Sequence, residues 1–283
     1  MINIPNIKEM IGFKPDLIQP LVGGDINQVY KIKYVNENYI LKLNNSGRYP
    51  NLFEKEVQGL EQLRSSNSFK IPSILETGEF NGLQYLLMEY IEKGESTPEY
   101  WSNFAKSLAQ LHSMDKDYFG NEIDNYIGTI HQSNTKHENW STFFIQERCQ
   151  PLVKLSLNQG YLTSEELKLF SRFYLKVPEI WPHEQPALLH GDLWSGNHIV
   201  GKGNQPVLID PAVYFGHREM DLGMMHLFGG FPSDLFHLYH SYLPLEKGWE
   251  QRIKYNQLYP LLVHLNLFGL SYKAQVMAII SEF

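Results

Sequence analysis

The chain has 283 residues, of which 43% are hydrophobic, 13% aromatic and 19% charged, a composition that excludes a disordered or low-complexity protein. Its length predicts one large domain or two lobes that share a cleft. With 24 Lys and Arg residues against 31 Asp and Glu, the net charge is −7, so we expect neither nucleic acid nor a membrane surface as a partner.

The beginning of the chain and its cysteine usage favour a cytoplasmic protein. Residues 1–13 lack a basic segment followed by an apolar one, so they do not resemble a signal peptide. Cys149 is the single cysteine, which excludes an intramolecular disulfide and suits a reducing compartment. The most apolar stretch, 258–270, is too short and too interrupted by polar residues to span a membrane.

The first part of the chain predicts strands, turns and one main helix. Apolar and polar side chains alternate over 28–34 and 39–43, the pattern of a β-hairpin. Apolar residues recur at spacings of three and four over 52–63, which predicts an amphipathic helix. A second strand pair is expected to turn at Asn81 and Gly82.

Beyond Gly94 the apolar residues change to helical periodicity. Helices are predicted over 101–112 and 164–177, and the exception is a short hairpin formed by 199–200 and 206–210. We therefore expect an α+β fold with two lobes, in which a small antiparallel sheet with one main helix precedes a larger, mainly helical lobe.

The boundary of the two lobes is expected near residues 91–94. This division makes 1–91 an N-terminal nucleotide-binding lobe and 92–283 a C-terminal helical lobe for catalysis and acceptor binding. The function assigned to each lobe depends on the sequence motifs within it.

The segment 188–221 carries the most specific motif. His190, Asp192 and Asn197 have the H-x-D-x-x-x-x-N spacing of phosphotransferase catalytic loops, and Asp210 ends a predicted strand where a metal-binding Asp belongs. Each residue alone also fits a turn, a loop bridge or a strand end. Together they favour phosphoryl transfer, in which a carboxylate accepts the hydroxyl proton and oxygen ligands hold Mg²⁺ on the phosphates.

Two residues upstream fit the same chemistry. Lys42 lies in the middle of a predicted strand and Glu56 on the helix that follows it. Kinases hold a strand Lys on the nucleotide phosphates with a helix Glu in this way. Because a solvent-exposed Lys and Glu are common, the pair gains its weight from the motif further along the chain.

Two segments occupy places where kinases contact the nucleotide. The turn at Gly23 and Gly24 lies where a phosphate loop is expected, but it is not G-x-G-x-x-G and equally fits a plain hairpin turn. Glu89, Tyr90 and Ile91 end the small lobe, where a hinge offers backbone groups to adenine, and an ordinary buried strand is the alternative.

The acceptor is predicted to be a small molecule. Few residues separate Asp210 from Asp221 and no Ala-Pro-Glu segment follows, which leaves little room for a peptide-docking activation loop. Gly191 also occupies the place of the Arg that would pair with a phosphorylated loop. A kinase without loop phosphorylation follows from both.

The sequence resembles the fructosamine (ketosamine-3) kinase family, within the aminoglycoside-phosphotransferase-like kinases. The resemblance extends over roughly 20–270. The segments that carry it are LLHGDLWSGN at 188–197, DPAVYFGHREMDL at 210–222, FEKEVQGL at 53–60, DNYIGT at 124–129 and LFGGFP at 227–232.

The resemblance implies a protein-kinase-like fold, ATP and Mg²⁺ as cofactors, and a role for each motif residue. Asp221 would hold the catalytic loop by hydrogen bonds. The implied site residues are Asp192 as proton acceptor, Asn197 and Asp210 as magnesium ligands, Lys42 and Glu56 as the phosphate-holding pair, and Glu89, Tyr90 and Ile91 as the adenine hinge. Gly23 and Gly24 are expected to give backbone contacts from the position of their turn alone.

The family's reaction places the γ-phosphate of ATP on the 3-hydroxyl of a ketosamine, which is a fructosamine or ribulosamine adduct of a small amine or a protein lysine. Phosphate beside a ketone is a good leaving group, so elimination frees the amine and the implied role is deglycation. Two alternatives stay open. One is a kinase for another hydroxyl metabolite, such as an aminoglycoside or a choline-like alcohol, and the other is a non-catalytic nucleotide-binding module.

Three residues near the catalytic motif are expected to border the acceptor pocket: Trp194, Tyr214 and His217. An aromatic residue in such a place also commonly packs in the core. Asp25 stands in the glycine turn where some relatives of the family have Cys, so thiol-based redox control of that turn is not expected.

Overall fold

The computed structural model describes residues 7–21 and 27–283. A short helix, α1 (Ile7–Ile11), precedes a five-stranded antiparallel sheet of order β1-β2-β3-β5-β4. Helix α2 (Leu52–Ser65) lies between β3 and β4 in the chain. The strands are β1 (Leu17–Leu21), β2 (Gln28–Tyr34), β3 (Glu37–Asn45), β4 (Ile74–Phe80) and β5 (Leu83–Glu89).

Both predicted hairpins of the sheet are present, and their turns are formed by different types of residue. Asn81 and Gly82 have φ values of 51° and 78°, which the two-residue turn of a hairpin requires and which Asn-Gly adopts readily. The first hairpin turns at Val35 and Asn36, so β3 begins earlier than predicted. Val35 has a φ of 57°, unusual for a β-branched residue, and its amide donates to Oδ2 of Asp16 at 2.8 Å.

The remaining helices form the larger lobe, so the predicted α+β, protein-kinase-like arrangement is confirmed. Within the described part of the chain, no helix is long and apolar enough to cross a membrane. The helices are α3 (Pro98–His112), α4 (Trp140–Phe143), α5 (Gln150–Asn158), α6 (Glu166–Ile180), α7 (Glu219–Phe228), α8 (Asp234–Tyr242), α9 (Trp249–Asn256), α10 (Leu258–Phe268) and α11 (Lys273–Ile280), with a π-helical segment (Phe144–Cys149) between α4 and α5.

Three short strand pairs interrupt the helical lobe, of which only one was predicted. The predicted hairpin consists of β9 (His198–Gly201) and β10 (Gln205–Leu208). The others have three residues per strand, too few for an alternation of side chains to show in the sequence. They are β6 (Asn125–Ile127) with β7 (Ile130–Gln132), and β8 (Ala187–Leu189) with β11 (Tyr214–Gly216).

One hydrophobic cluster contains residues of both lobes. Leu60 of α2 and Leu86 of β5 belong to the same buried cluster as Leu108 of α3 and Leu208 of β10. The β9–β10 hairpin is also fixed to the chain that joins the lobes, because the Gly94 amide donates to Val200 O at 2.8 Å. The hairpin that carries the predicted magnesium ligands at its two ends is therefore anchored to the lobe connection.

Candidate active site

The catalytic loop leaves β8 through a position that only glycine can occupy. Gly191 has a φ of 82°, and a Cβ atom there would lie 2.0 Å from the carbonyl oxygen of Ala212. The Ala212 amide donates to His190 O at 2.9 Å, so the loop after β10 packs directly on the catalytic loop. The residue that replaces Arg in this motif thus serves close backbone packing.

Asp221, in the first turn of α7, holds the catalytic loop as predicted. Its carboxylate accepts hydrogen bonds from the amides of His190 at 2.8 Å and Gly191 at 2.9 Å. The Nε2 atom of His112 on α3 lies 3.3 Å from the same carboxylate. Asp221 and His112 are both buried, so this support lies beneath the loop and away from the cleft.

Asp192 and Asn197 are joined within the loop. Nδ2 of Asn197 donates to Oδ2 of Asp192 at 3.0 Å and to its carbonyl oxygen at 2.8 Å. His190 lies underneath: its Nε2 lies 2.9 Å from Ile209 O, and its Nδ1 accepts from the Asp192 amide at 3.2 Å. Burial lowers the pKa of His190, which fits the neutral ring that this hydrogen-bond pattern requires.

Asp210 follows β10 in a left-handed conformation, with a φ of 55°. The ammonium group of Lys42, from β3, contacts the Asp210 carboxylate and lies 2.6 Å from Oε1 of Glu56 on α2. The Ile209 amide donates to Asn197 O at 3.1 Å, which ties the strand end to the catalytic loop. Residues 168 positions apart in the chain are therefore in contact across the cleft.

The pKa values of the site residues are shifted by burial and by the neighbouring charged and polar groups. Burial, followed by the negative charge of Asp210, raises the pKa of Asp192 to about 7, and the hydrogen bond from Asn197 opposes the shift. Burial also raises the pKa of Glu56, although Lys42 opposes this. Burial disfavours the charged form of Lys42, but Asp210 and Glu56 outweigh it, so the pKa of Lys42 is raised.

A cavity of about 660 Å³ lies between the lobes at this point. Six predicted site residues line it: Lys42, Glu56, Asp192, Trp194, Asn197 and Asp210. Trp194, predicted to border the acceptor pocket, has 38% of its surface exposed.

The structure corrects the placement of Tyr214 and His217, because neither lines the cavity. Tyr214 belongs to β11, where its ring stacks on Phe143 and lies 4.0 Å from the Arg148 guanidinium. His217 is fully buried beside Trp140, and burial lowers its pKa. Both residues face the core of the helical lobe, so they are packing residues.

The predicted hinge residues Glu89, Tyr90 and Ile91 do not line this cavity. Gly23 and Gly24 lie outside the described residues. The Glu89 carboxylate binds Lys70, and its amide donates to Ser73 O at 2.9 Å, so both groups are already used.

Asn197 and Asp210 fit a magnesium ion as partial ligands. The hydrogen bonds of the Asn197 side chain use only Nδ2, so Oδ1 accepts none from a described residue. Amide and carboxylate oxygens are ligands that Mg²⁺ prefers, usually together with phosphate oxygens and water. Residues 7–21 and 27–283 contain no group of three or more His, Cys, Asp or Glu residues arranged for a metal.

Sequence reasoning missed two further parts of the cavity wall. Lys55 and the β6–β7 turn at Gly128 line one part. Phe228 at the end of α7 and residues of α10 line another. The segment LFGGFP contains Phe228, so it was the sequence feature that could have indicated this part of the wall. The strongly apolar α10 gave no such indication, because its composition is typical of a core helix.

An antiparallel sheet and a helical lobe, with a Lys-Glu pair on one side and an Asp-Asn-Asp set on the other, define the protein-kinase-like class of phosphotransferases. Solved structures agree on the fold. A thermostable mutant of the aminoglycoside phosphotransferase APH(4)-Ia, in a ternary complex with AMP-PNP and hygromycin B, is 17% identical, with a TM-score of 0.64 over 97% of this chain and 96% of the other.

The chain belongs to the fructosamine kinase family, which it matches over residues 6–283. A probable ketoamine kinase of Enterococcus faecium is 40% identical over 270 residues, 93% of this chain and 94% of the relative. The chloroplastic protein-ribulosamine 3-kinase of Arabidopsis thaliana is 33% identical, over 92% of this chain and 80% of the relative. A candidate fructosamine-3-kinase of Thermobifida fusca is 29% identical, with a TM-score of 0.86 over 97% of this chain and 96% of that structure.

Proposed function

We propose that this protein transfers the γ-phosphate of ATP to the 3-hydroxyl of a ketosamine. The observation that carries the proposal is one cavity in which Lys42, Asp192, Asn197 and Asp210 meet, in a member of the fructosamine kinase family. The acceptor class comes from the relatives, which are ketoamine and protein-ribulosamine kinases. The acceptor is a small-molecule or protein-bound adduct of fructose or ribulose.

Asp192 is the proton acceptor in this proposal. Its carboxylate is half-buried in the cavity wall, and Asn197 holds one of its oxygens. As the acceptor hydroxyl oxygen forms its bond to the γ-phosphorus, its proton passes to Asp192 and the bond from phosphorus to the β-phosphate oxygen breaks, releasing ADP. A pKa of about 7 gives this base a suitable strength near neutral pH.

Lys42, Asn197 and Asp210 hold the phosphates of ATP and the magnesium ion. Lys42, fixed by Glu56, presents its ammonium group to phosphate oxygens, and the side-chain oxygens of Asn197 and Asp210 bind the metal. Bound magnesium neutralises the charge that develops on the phosphates. Because Lys42 contacts the Asp210 carboxylate, a magnesium ion at Asp210 would compete with Lys42 for this carboxylate.

The proposed division of labour follows the two lobes. Residues 1–91 form the nucleotide-binding lobe, with backbone contacts at Gly23 and Gly24 and adenine at the hinge of Glu89, Tyr90 and Ile91. Residues 92–283 supply the catalytic loop and the acceptor site. Glu89 ends β5, so Tyr90 and Ile91 lie where the chain leaves the sheet, the place at which a kinase hinge offers backbone groups to adenine.

Deglycation is the proposed biological consequence. A phosphate at C3, beside the C2 ketone, is readily eliminated, and the amine is then released. The single cysteine, Cys149, is buried and unpaired, which suits a reducing compartment, so we place the reaction in the cytoplasm.

The direct test is phosphorylation of defined acceptors. The purified protein is incubated with ATP, MgCl₂ and fructosyl-lysine or ribulosyl-lysine, ADP release is measured, and the product is examined by ³¹P NMR. We expect a phosphate ester at C3 and no product with Asp192→Asn. Phosphorylation of an aminoglycoside or choline, with no turnover of any ketosamine, would overturn the acceptor assignment. Unchanged activity in Asp192→Asn would overturn the mechanism.

A further inference from the structure

One wall of the cavity is built almost entirely of apolar and aromatic side chains. This aromatic wall consists of Phe228, Val263, His264, Leu267, Phe268 and Tyr272. The His264 ring is at its centre, with ring centroids 4.5 Å from Phe228, 5.3 Å from Phe268 and 5.1 Å from Tyr272. The proposed phosphoryl transfer uses none of these residues.

Two rings of the aromatic wall are more exposed to solvent than residues of a hydrophobic core are. Phe228 is 36% exposed and Phe268 is 48% exposed, although both belong to helices whose other apolar residues are largely buried. Apolar surface in a concave site gains free energy when a ligand covers it. The exposed rings therefore indicate an apolar ligand surface that is continuous with the catalytic residues in the same cavity.

The wall differs from the rest of the cavity in charge. Lys42, Lys55, Glu56, Asp192 and Asp210 line the cavity elsewhere, whereas the aromatic wall contains no Lys, Arg, Asp or Glu.

His264 is the one residue of the aromatic wall with ring nitrogens, and its surroundings favour the neutral form of the ring. Its Nδ1 donates to Pro260 O at 2.8 Å, and burial lowers its pKa. A carboxylate against this wall would find no cation to pair with. Such a ligand would also share the cavity with the carboxylates of Asp192 and Asp210.

A ketosamine has two chemically different ends. The sugar carries a hydroxyl group on most of its carbons, and each hydroxyl that leaves water needs a hydrogen-bond partner. The aromatic wall offers few such partners. The amine carrier, which is the group attached through the nitrogen, has no such requirement when it is an alkyl or aryl chain.

On the basis of the proposed function, we propose that the aromatic wall binds the amine carrier of the ketosamine and selects carriers that are uncharged and apolar next to the nitrogen. Alkylamine and arylamine adducts and lysine side-chain adducts meet this requirement, because the lysine nitrogen is followed by methylene groups. Adducts at the α-amino group of an amino acid do not, since their carboxylate lies one carbon from the nitrogen.

The experiment varies the carrier while the sugar stays fructose. We expect kcat/KM to rise about two- to fourfold per methylene from the methylamine to the butylamine adduct, the effect of burying one methylene against a partly open wall. Fructosyl-glycine, whose carboxylate replaces the end of a propyl chain, should be at least tenfold poorer than the propylamine adduct.

Variants of the wall identify where the carrier binds. In Phe268→Ala and Phe228→Ala the rise from methylamine to butylamine should flatten to less than half. Both rings are partly exposed at helix ends, so folding is checked by thermal unfolding and is expected to persist. Leu270→Ala is the matched control, because Leu270 is 59% exposed nearby and does not line the cavity. This control should keep the wild-type dependence on carrier length.

The outcomes separate the carrier inference from the proposed function. If ketosamines are phosphorylated but kcat/KM is the same for every carrier, the carrier inference is wrong and the proposed function stands. If Phe268→Ala alters the ratio of fructosyl- to ribulosyl-butylamine turnover while the dependence on carrier length persists, the wall binds the sugar instead. If no ketosamine is phosphorylated, the proposed function is wrong and the inference falls with it.

Discussion

Asn197 donates a hydrogen bond from Nδ2 to Oδ2 of Asp192 at 3.0 Å, so a proposed magnesium ligand also orients the proposed proton acceptor. The same amide nitrogen binds the carbonyl oxygen of Asp192, which leaves Oδ1 of Asn197 directed away from these bonds. One side chain thereby fixes the base relative to the metal site. The hydrogen bond also favours the charged form of a carboxylate that burial disfavours.

Asp192→Asn should abolish turnover and stabilise the metal-free protein above neutral pH. A positioned base contributes about 10²- to 10⁴-fold to rate, and kcat should fall by at least that factor. The folded-state pKa of Asp192, about 7, is above its ordinary value of 3.8, so wild-type stability decreases as pH rises between these values. The variant lacks this penalty and should be more stable by roughly 1–3 kcal/mol at pH 8.

Urea unfolding of the magnesium-free protein at several pH values checks the stability effect of Asp192→Asn. The gain in the free energy of unfolding should be absent below about pH 4, grow between about pH 4 and 7, and stay constant above about 7. A gain that is the same at both ends of this range would show that ionisation of Asp192 is not its cause.

Glu56→Gln should raise the magnesium concentration needed for half-maximal activity about tenfold. In the wild type the Lys42 ammonium group is shared between Glu56 and Asp210. Without the Glu56 charge, Lys42 pairs more strongly with Asp210 and competes with the metal for this ligand. Activity is measured against MgCl₂ at saturating ATP. Glu54→Gln, an exposed position on the same helix, is the control and should have the wild-type dependence.

Gly191→Ala should destabilise the protein by about 3 kcal/mol or more and reduce kcat at least tenfold. Its Cβ atom would lie 2.0 Å from Ala212 O, in addition to the strain of a φ of 82°. Gly203→Ala is the control, since Gly203 has a φ of 69° but no heavy atom within 4 Å of an added Cβ. Gly203→Ala should lower the free energy of unfolding by about 1 kcal/mol, the cost of backbone strain alone, and should leave kcat unchanged. Equal effects at both positions would mean that the contact with Ala212 is unimportant.

The sequence allowed the sheet lobe and the catalytic set to be predicted because both depend on local patterns. Alternating strands, an Asn-Gly turn and an amphipathic helix fix the small lobe, and the spacing of Asp192, Asn197 and Asp210 is set within one segment. Lys42 and Glu56 were placed by the register of a strand and the helix that follows it. Their contact with Asp210 depends on how the lobes pack, which no local pattern contains.

The acceptor side could not be predicted for the same physical reason. Tyr214 and His217 are close to the catalytic loop in sequence, but pairing of β11 with β8 turns them into the core. The aromatic wall joins Phe228 to residues from 263 onward, which only tertiary packing brings together. In addition, α10 is apolar on nearly all sides, so its periodicity does not reveal which residues face the cavity.

Arg148 is fully buried, and a polar network connects it to the loop after Asp210, which packs on the catalytic loop. Its guanidinium donates to Oδ1 of Asn134 at 2.6 Å, and Asn134 donates to Asn125 at 3.2 Å. Gln132 donates to Asn125 at 2.7 Å and to Ala212 O at 3.1 Å, the carbonyl that packs on Gly191. We therefore expect Arg148 to act as a positioning residue that supports the loop after Asp210.

Arg148→Lys should lower kcat about tenfold in protein that is still folded, with a stability loss of roughly 2–3 kcal/mol. Arg148 donates to both Ser133 O and Asn134 Oδ1 at 2.6 Å while it lies on the Tyr214 ring, a geometry that the single ammonium group of Lys cannot reproduce. The measurement is steady-state kinetics well below the unfolding midpoint of the variant, with KM for ATP determined separately. The exposed Arg172→Lys is the control for the substitution itself and should leave both kcat and stability unchanged. A stability loss with wild-type kcat would limit Arg148 to a structural role, whereas a fall in kcat with unchanged KM for ATP would show that it positions the catalytic loop.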